Sequence, residues 1–154
     1  MENHNNSKDI VRNNLELQLG EQLNALISAS HALNVRTAEC FDANIQPAAF
    51  LIIRWLFSFG PTSATALAEA TAMDRSSVSR LINQLKAMNY IKSEPSPEDK
   101  RSTLVSLTEI GKQRTMEALK EKESDFYKRI IEWDNSRLES FIDLLRDFNG
   151  YDNK

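Results

Sequence analysis

A chain of 154 residues with 41% apolar and 27% charged side chains is long enough for one domain with a buried core, and polar enough to stay in water. Nineteen basic residues against twenty-two acidic leave a net charge of −3, so bulk charge argues neither for nor against nucleic acid as a partner. The single cysteine, Cys40, excludes an intrachain disulfide framework.

The longest apolar stretch starts at Ala48, is interrupted by Arg54 and stops at Phe59, well short of the roughly 20 residues a membrane span needs. Met1 to Asp9 is polar and Asn-rich and has no hydrophobic signal core. A soluble, cytoplasmic protein with no membrane partner is expected. There is no Gly-rich phosphate loop, no nucleophile elbow and no pair of histidines at metal-binding spacing; His4 and His31 stand far apart. Neither an enzyme, nor a metal, nor a cofactor is expected.

Leu15, Leu19, Leu23, Leu26 and Leu33 recur at helical spacing and predict a helix from about Ser7 to Glu39. Gly20 within it costs about 1 kcal/mol relative to Ala, which predicts a bend, or a helix that begins in earnest after it. Phe41 to Gln46 reads as a connector in which Asn44 takes the left-handed conformation. Pro47 suits the first turn of a helix running to Phe59, apolar on nearly every side and therefore expected to be buried and central. Gly60-Pro61 ends it, and Ser63 caps a short helix from Ala64 to about Thr71.

After a turn at Ala72 to Asp74, a helix runs from Arg75 to about Met88, with Asp74 as its N-cap. Val78, Leu81, Ile82, Leu85 and Met88 form its buried stripe. Asn89 sits where the chain reverses into the first of two short strands, Ile91 to Glu94 and Thr103 to Leu107, joined by a turn-rich tip at Pro95 to Lys100. Thr108 caps the next helix. Glu109 to Asn149 reads as two helices separated at Asp134-Asn135-Ser136, with Ser136 and Glu139 as a capping box and Gly150 as the stop. Leu138, Phe141, Ile142, Leu145 and Phe148 make the last apolar stripe.

The fold class is thus mainly α with a small β-wing: a helix-turn-helix followed by a hairpin, a winged helix flanked by long helices. The chain divides into residues 1–46, an N-terminal helix; 47–110, the winged helix-turn-helix; and 111–154, the C-terminal helices. Opposite the buried stripe, the helix from Arg75 presents Ser76, Ser79, Arg80 and Asn83, short hydroxyl and amide groups with one long guanidinium, suited to base edges in a major groove. Arg75 and Ser77, in the first turn, can hold phosphate together with backbone N–H groups.

Any solvated helix can look like this, but the charge distribution favours a phosphate-facing surface. Residues 75–101 hold six basic and three acidic side chains, a local +3, whereas residues 1–74 hold four and eight, a local −4. At the wing, Asp99 precedes Lys100 and Arg101; on an extended segment positions i and i+2 share a face. Asp99 can then orient the Arg101 guanidinium toward a minor groove. The plain alternative is an exposed ion pair, worth about 0–1 kcal/mol.

From Ala64 through Gly111 the chain resembles the MarR family (multiple antibiotic resistance regulators). The resemblance lies in Leu67-Ala68, Asp74-Arg75-Ser76-Ser77-Val78-Ser79-Arg80-Leu81, Leu85, Pro97-Glu98-Asp99-Lys100-Arg101 and Leu107-Thr108-Glu109-Ile110-Gly111, with Ile45-Gln46-Pro47 and Phe50 upstream. Asn44 and Asn89 depart from it, standing where such proteins usually carry glycine; Asn is the next best residue for a positive φ. The resemblance implies a homodimeric transcription factor, most often a repressor. Its terminal helices would form the dimer interface, and each winged helix would read half of a palindromic site in double-stranded DNA. The stripes on residues 7–39 and 136–149 independently want a partner, either a second copy or the chain's own core.

Many members of the family release DNA when a small aromatic acid enters the cleft between dimer helices and winged domain. His31, Arg36 and Trp55 are candidates to line it, although a lone His and a Trp are as readily structural. Some relatives sense peroxide through a lone cysteine; Cys40 is the candidate, with Glu39 and Asp42 beside it expected to raise its thiol pKa and blunt it. Two other functions stay open at this point: a winged helix that binds protein without specific DNA recognition, and a thiol-based redox regulator acting through Cys40.

Overall fold

The computed structural model describes residues 3–150. In chain order it contains helices α1 (Asn3–Phe41), α2 (Pro47–Phe59), α3 (Ala64–Thr71) and α4 (Arg75–Ala87), strands β1 (Ile91–Pro95) and β2 (Thr103–Leu107), and helices α5 (Glu109–Lys122), α6 (Ser124–Lys128) and α7 (Asn135–Asn149). The outermost residues of the expected divisions, 1–2 and 151–154, lie outside the described residues, and so do the first two of the polar stretch Met1 to Asp9.

The core forms around α2. Pro47 opens it, and Ala49, Phe50, Ile52, Ile53 and Leu56 are buried. Its apolar character all round does not mean burial all round, because Leu51, Phe57 and Phe59 remain exposed. Against the buried face pack Leu67 of α3, the α4 stripe Val78, Leu81, Ile82 and Leu85, and Val105 and Leu107 of the hairpin. β1 and β2 are antiparallel, in register from Ile91 opposite Leu107 to Pro95 opposite Thr103. A stitch not visible in the sequence adds to the sheet: Thr62 and Val105 exchange backbone hydrogen bonds of 3.1 and 2.8 Å, tying the loop after α2 to the wing.

The caps explain most boundaries. Ser63 accepts from the Ala66 N–H, Asp74 from Ser77 and Thr108 from Gly111. Asn89 has φ 61°, as its place between α4 and β1 predicts. Asn44 does not adopt the left-handed conformation expected of it. Its backbone N–H and side-chain amide both donate to Asp42 Oδ1, at 2.8 and 3.0 Å, and that turn closes the connector. The unforeseen left-handed residue is Ala72, φ 53°, where α3 ends and the chain must turn into α4.

Gly20 does not delay α1: the helix is continuous from Asn3, since one unfavourable residue is small against the hydrogen bonds of a 39-residue helix. The C-terminal section holds three helices where two are expected, because Glu123 ends α5 and a short α6 follows. Asp134, not Ser136, caps α7, accepting from the Arg137 N–H at 2.8 Å. Gly150 ends α7 at φ 65° as expected.

The two ends of the fold contrast with its middle. On α1, Ile10, Val11, Leu15, Leu17 and Leu19 are 49–70% exposed; α7 buries no residue at all, with Phe141, Ile142, Leu144 and Phe148 at 38–67%. The α7 stripe and the N-terminal part of the α1 stripe therefore do not pack on the chain's own core, whereas the last turns of α1 do, through Ala38 and Phe41. Among the described residues no helix is long and apolar enough to cross a membrane.

Candidate nucleic-acid interface

The first turn of α4 is built around Asp74. Its carboxylate accepts the Ser77 backbone N–H at 2.8 Å and the Ser77 hydroxyl at 2.6 Å, and these bonds, the hydroxyl first, hold its pKa below the usual carboxylate value. Ser77 thereby spends both donors within the chain, so the expectation that it donates to phosphate does not fit its geometry. Arg75 and Ser76 stay exposed beside it. Farther along, Ser79, Arg80 and Asn83 share the solvent side, while Val78, Leu81, Ile82 and Leu85 beneath them are no more than 6% exposed; Met88, expected in that buried stripe, is the C-cap and only half-buried. The helix is thus gripped along one face and presents a row of hydrogen-bonding groups on the other.

The wing tip also differs from the expected arrangement. Residues 96–102 are a turn and not extended strand, so the i, i+2 rule does not apply there. Asp99 shapes this turn: Oδ1 accepts the Arg101 backbone N–H at 2.9 Å, Oδ2 the Ser102 hydroxyl at 3.2 Å, and the Asp99 carbonyl the Ser102 N–H at 2.9 Å. Asp99 orients the backbone that carries Arg101 and not its guanidinium. The Lys100 and Arg101 side chains are exposed at the tip.

A cleft of about 480 Å³ opens between α1, α2 and the end of α5. Its apolar wall includes Leu33, Phe50 and Leu119, and its polar groups include His31, Asn34 and Arg54. Of the three residues named from sequence, the structure brings only His31 here. Arg36 lies exposed outside the lining, and Trp55 packs on Phe59 with ring centroids 4.1 Å apart. The residue sequence reasoning missed is Arg54, although a lone charge in an otherwise apolar helix was itself a signal that a partner must lie nearby. That partner is Glu123, 2.5 Å away and mostly buried, whose other oxygen accepts the Tyr127 phenol at 3.1 Å. Glu123 holds the Tyr127 pKa above its ordinary value through this bond.

Cys40 is exposed, and its surroundings come from α5 and not from its sequence neighbours. Its sulfur lies 3.8 Å from Glu121 Oε1, while Asp42 faces Tyr90 and Asn44. Lys122 is pushed above the ordinary lysine range by the charge of Cys40 first and Glu121 second. Among the described residues no group of three or more His, Cys, Asp or Glu could hold a metal ion.

Comparison with known proteins decides the family. The MarR family model matches residues 43–102, from the connector before α2 to the wing tip. The HTH-type transcriptional regulator YxaD of Bacillus subtilis is 33% identical over 119 residues, spanning 77% of this chain and 82% of that protein. The chain belongs to the MarR family. This MarR-family protein is a helix-turn-helix transcriptional regulator, as its relatives are. The HTH-type transcriptional repressor NicR of Pseudomonas putida is 33% identical over 70 residues, 46% of this chain and 44% of that one.

Solved structures agree on the winged-helix fold. Wild-type MarR from E. coli superposes with a TM-score of 0.62 at 18% identity, covering 84% of this chain and 96% of the other. Bordetella bronchiseptica BpsR, whose DNA binding is regulated by 6-hydroxynicotinic acid, superposes with a TM-score of 0.59 at 25% identity, over 86% and 98%.

Proposed function

We propose that this regulator binds a palindromic DNA operator as a homodimer, acts as a repressor, and is released by a small aromatic acid. The observation that carries DNA reading is the division of α4: a buried apolar face beneath, and Ser76, Ser79, Arg80 and Asn83 aligned in solvent above. Arg80 and Asn83 serve base edges, with Ser76 and Ser79 beside them; Arg75 serves phosphate, and Lys100 and Arg101 serve the flanking groove. Ser77 and Asp99 act through the backbone, one by completing the cap and the other by shaping the wing.

A second copy is the economical cover for the exposed faces of α1 and α7, because both lie outside the winged core and both are apolar. The cleft between α1 and α2 suits a small carboxylate-bearing ring: its volume lies within the usual range for ligand sites, and the polar groups in its apolar wall include one guanidinium and one imidazole, with the Glu123 carboxylate on Arg54. An acid entering there competes with Glu123 for Arg54, which gives it leverage on the junction of α5 and α6. The regulation of BpsR by a pyridine carboxylic acid and the repressor activity in the name of NicR support this assignment.

Selection from a pool of random duplexes at several salt concentrations tests the proposal. The expected result is an inverted repeat with half-sites about one helical turn apart and affinity that falls steeply with salt. Salt-insensitive binding, or none, overturns DNA reading and favours a winged helix that binds protein.

A further inference from the structure

We propose that Tyr90 is a positioning residue that, clamped to Asp42 and Arg114, sets the distance between the two recognition helices of the dimer and hence the operator spacing it accepts; this rests on the dimeric DNA-reading function proposed above. Tyr90 follows the left-handed Asn89 that ends the recognition segment, and its backbone is held on three sides. Its N–H donates to the Leu85 carbonyl of α4 at 3.0 Å, and its own carbonyl accepts the Thr108 N–H at 3.0 Å and the Thr108 hydroxyl at 3.2 Å. Gly111 lies so close to that carbonyl that any Cβ there would collide with it. Tyr90 therefore moves only as α4, the hairpin and the start of α5 move together.

The side chain joins this unit to the end of the α1 arm. Its phenol donates to Asp42 Oδ2 at 2.6 Å and accepts from the Arg114 guanidinium at 2.9 Å, and the same Arg114 nitrogen donates to the Phe41 carbonyl at 3.2 Å. That carbonyl belongs to the last turn of α1, where no helical partner exists. The Tyr90 ring meets the Phe41 ring edge-on, centroids 4.7 Å apart. Asn44 holds Asp42 from the other side through two hydrogen bonds. Packing alone would be met by phenylalanine, so the hydroxyl is what makes the contact directional.

The geometry acts as a lever. A helix of 13 residues is about 20 Å long, so a tilt of about 5° at its Tyr90 end shifts its N-terminal end by about 2 Å. Two copies tilting symmetrically add to about 3–4 Å, the rise of one base pair. A joint that permits such a tilt cannot discriminate spacings that differ by one base pair.

The test uses the full-length protein and a panel of duplexes carrying the selected half-sites with the spacer changed from two base pairs shorter to two longer. The parent is expected to lose about tenfold in affinity for each single-base-pair departure, a cost like that of one mismatch. Tyr90→Phe is expected to lose less than about threefold per step while selecting the same half-site sequence. Asp42→Asn keeps an acceptor for the phenol and falls between the two. A parent-like spacing profile for Tyr90→Phe, or an affinity reduced equally at every spacing, overturns the positioning role. Should Tyr90→Phe fail to fold, the Asp42→Asn profile decides, and parent-like discrimination overturns the proposal. A parent that binds half-sites without any spacing preference overturns the dimeric function itself, an outcome distinct from failure of the clamp.

Discussion

On α4, Val78, Leu81, Ile82 and Leu85 recur at helical spacing and lie between 0 and 6% exposed. On α7, Phe141, Ile142, Leu145 and Phe148 recur in the same way, yet the helix buries no residue. Both stripes have the same chemistry and the same period. The difference is what lies opposite. α4 follows α3 through a three-residue turn and packs on α2, whereas α7 comes after a broken segment, residues 123–134, and buries no residue. Periodicity announces that a face will be covered and says nothing about which chain covers it.

That contrast is broken most forcefully from the middle of the fold. Phe50 is 1% exposed and packs against Phe41 with ring centroids 5.6 Å apart. Phe50→Ala is expected to cost about 3–5 kcal/mol, measured by urea unfolding, by the same amount at every protein concentration. Paired changes on the arm, Phe141→Ser with Leu144→Ser, should do the reverse: the winged unit keeps its circular-dichroism signal, while sedimentation shows a monomer and the midpoint of thermal unfolding no longer rises with concentration. A dimer surviving both changes would put the interface elsewhere.

The outward surface of the winged unit separates into two kinds of effect. Arg80→Ala should cost about 1–3 kcal/mol on the selected operator and little on random duplex, read by competition binding. Arg101→Ala should weaken binding to all sequences by a similar factor and lower the salt slope by about one.

The smallest effect lies at the joint between the two regions. The Tyr90 phenol, then the Asn44 amide, hold the Asp42 carboxyl below its ordinary value of 3.8, with burial opposing them and Arg114 assisting. A depressed carboxylate contributes stability that is present above the unfolded value and lost as pH falls through the folded one. The stability deficit of Asp42→Asn should therefore stay constant from neutral pH down to about pH 4 and shrink only below it. On the alkaline side, burial first and Asp42 second raise the Tyr90 phenol above 10.0, so its contribution persists until pH exceeds that range.

Much of this architecture was legible residue by residue. Ser63, Asp74 and Thr108 each announced a helix start, and the α4 stripe announced the helix and its buried side together. The features that escaped depend on pairs far apart in the chain. Nothing local in Tyr90 indicates that its hydroxyl meets a residue 48 positions earlier, and the stitch from Thr62 to Val105 has no pattern of its own. Ala72 shows the limit in another form: its left-handed backbone costs roughly 1 kcal/mol and is imposed by the packing of α3 against α4, not by its side chain. In the candidate ligand cleft, His31 was legible from its place near the junction of the first two helices, but Arg54 became meaningful only with Glu123 beside it.

The arms also set an order of events during synthesis. α1 is complete at Phe41 and α7 does not begin until Asn135. At about 5–20 residues per second, the ribosome holds the first arm ready for roughly 5–20 s before the second exists. Throughout that interval a helix with Leu15, Leu17 and Leu19 in water has no chance of completing the contact proposed for it. In the proposed dimer, nascent chains on one messenger can meet through their first arms alone, so pairing can begin between neighbours on a polysome and be locked only when each chain is released. A cell making two alleles from separate messengers would then produce fewer mixed pairs than random assortment gives.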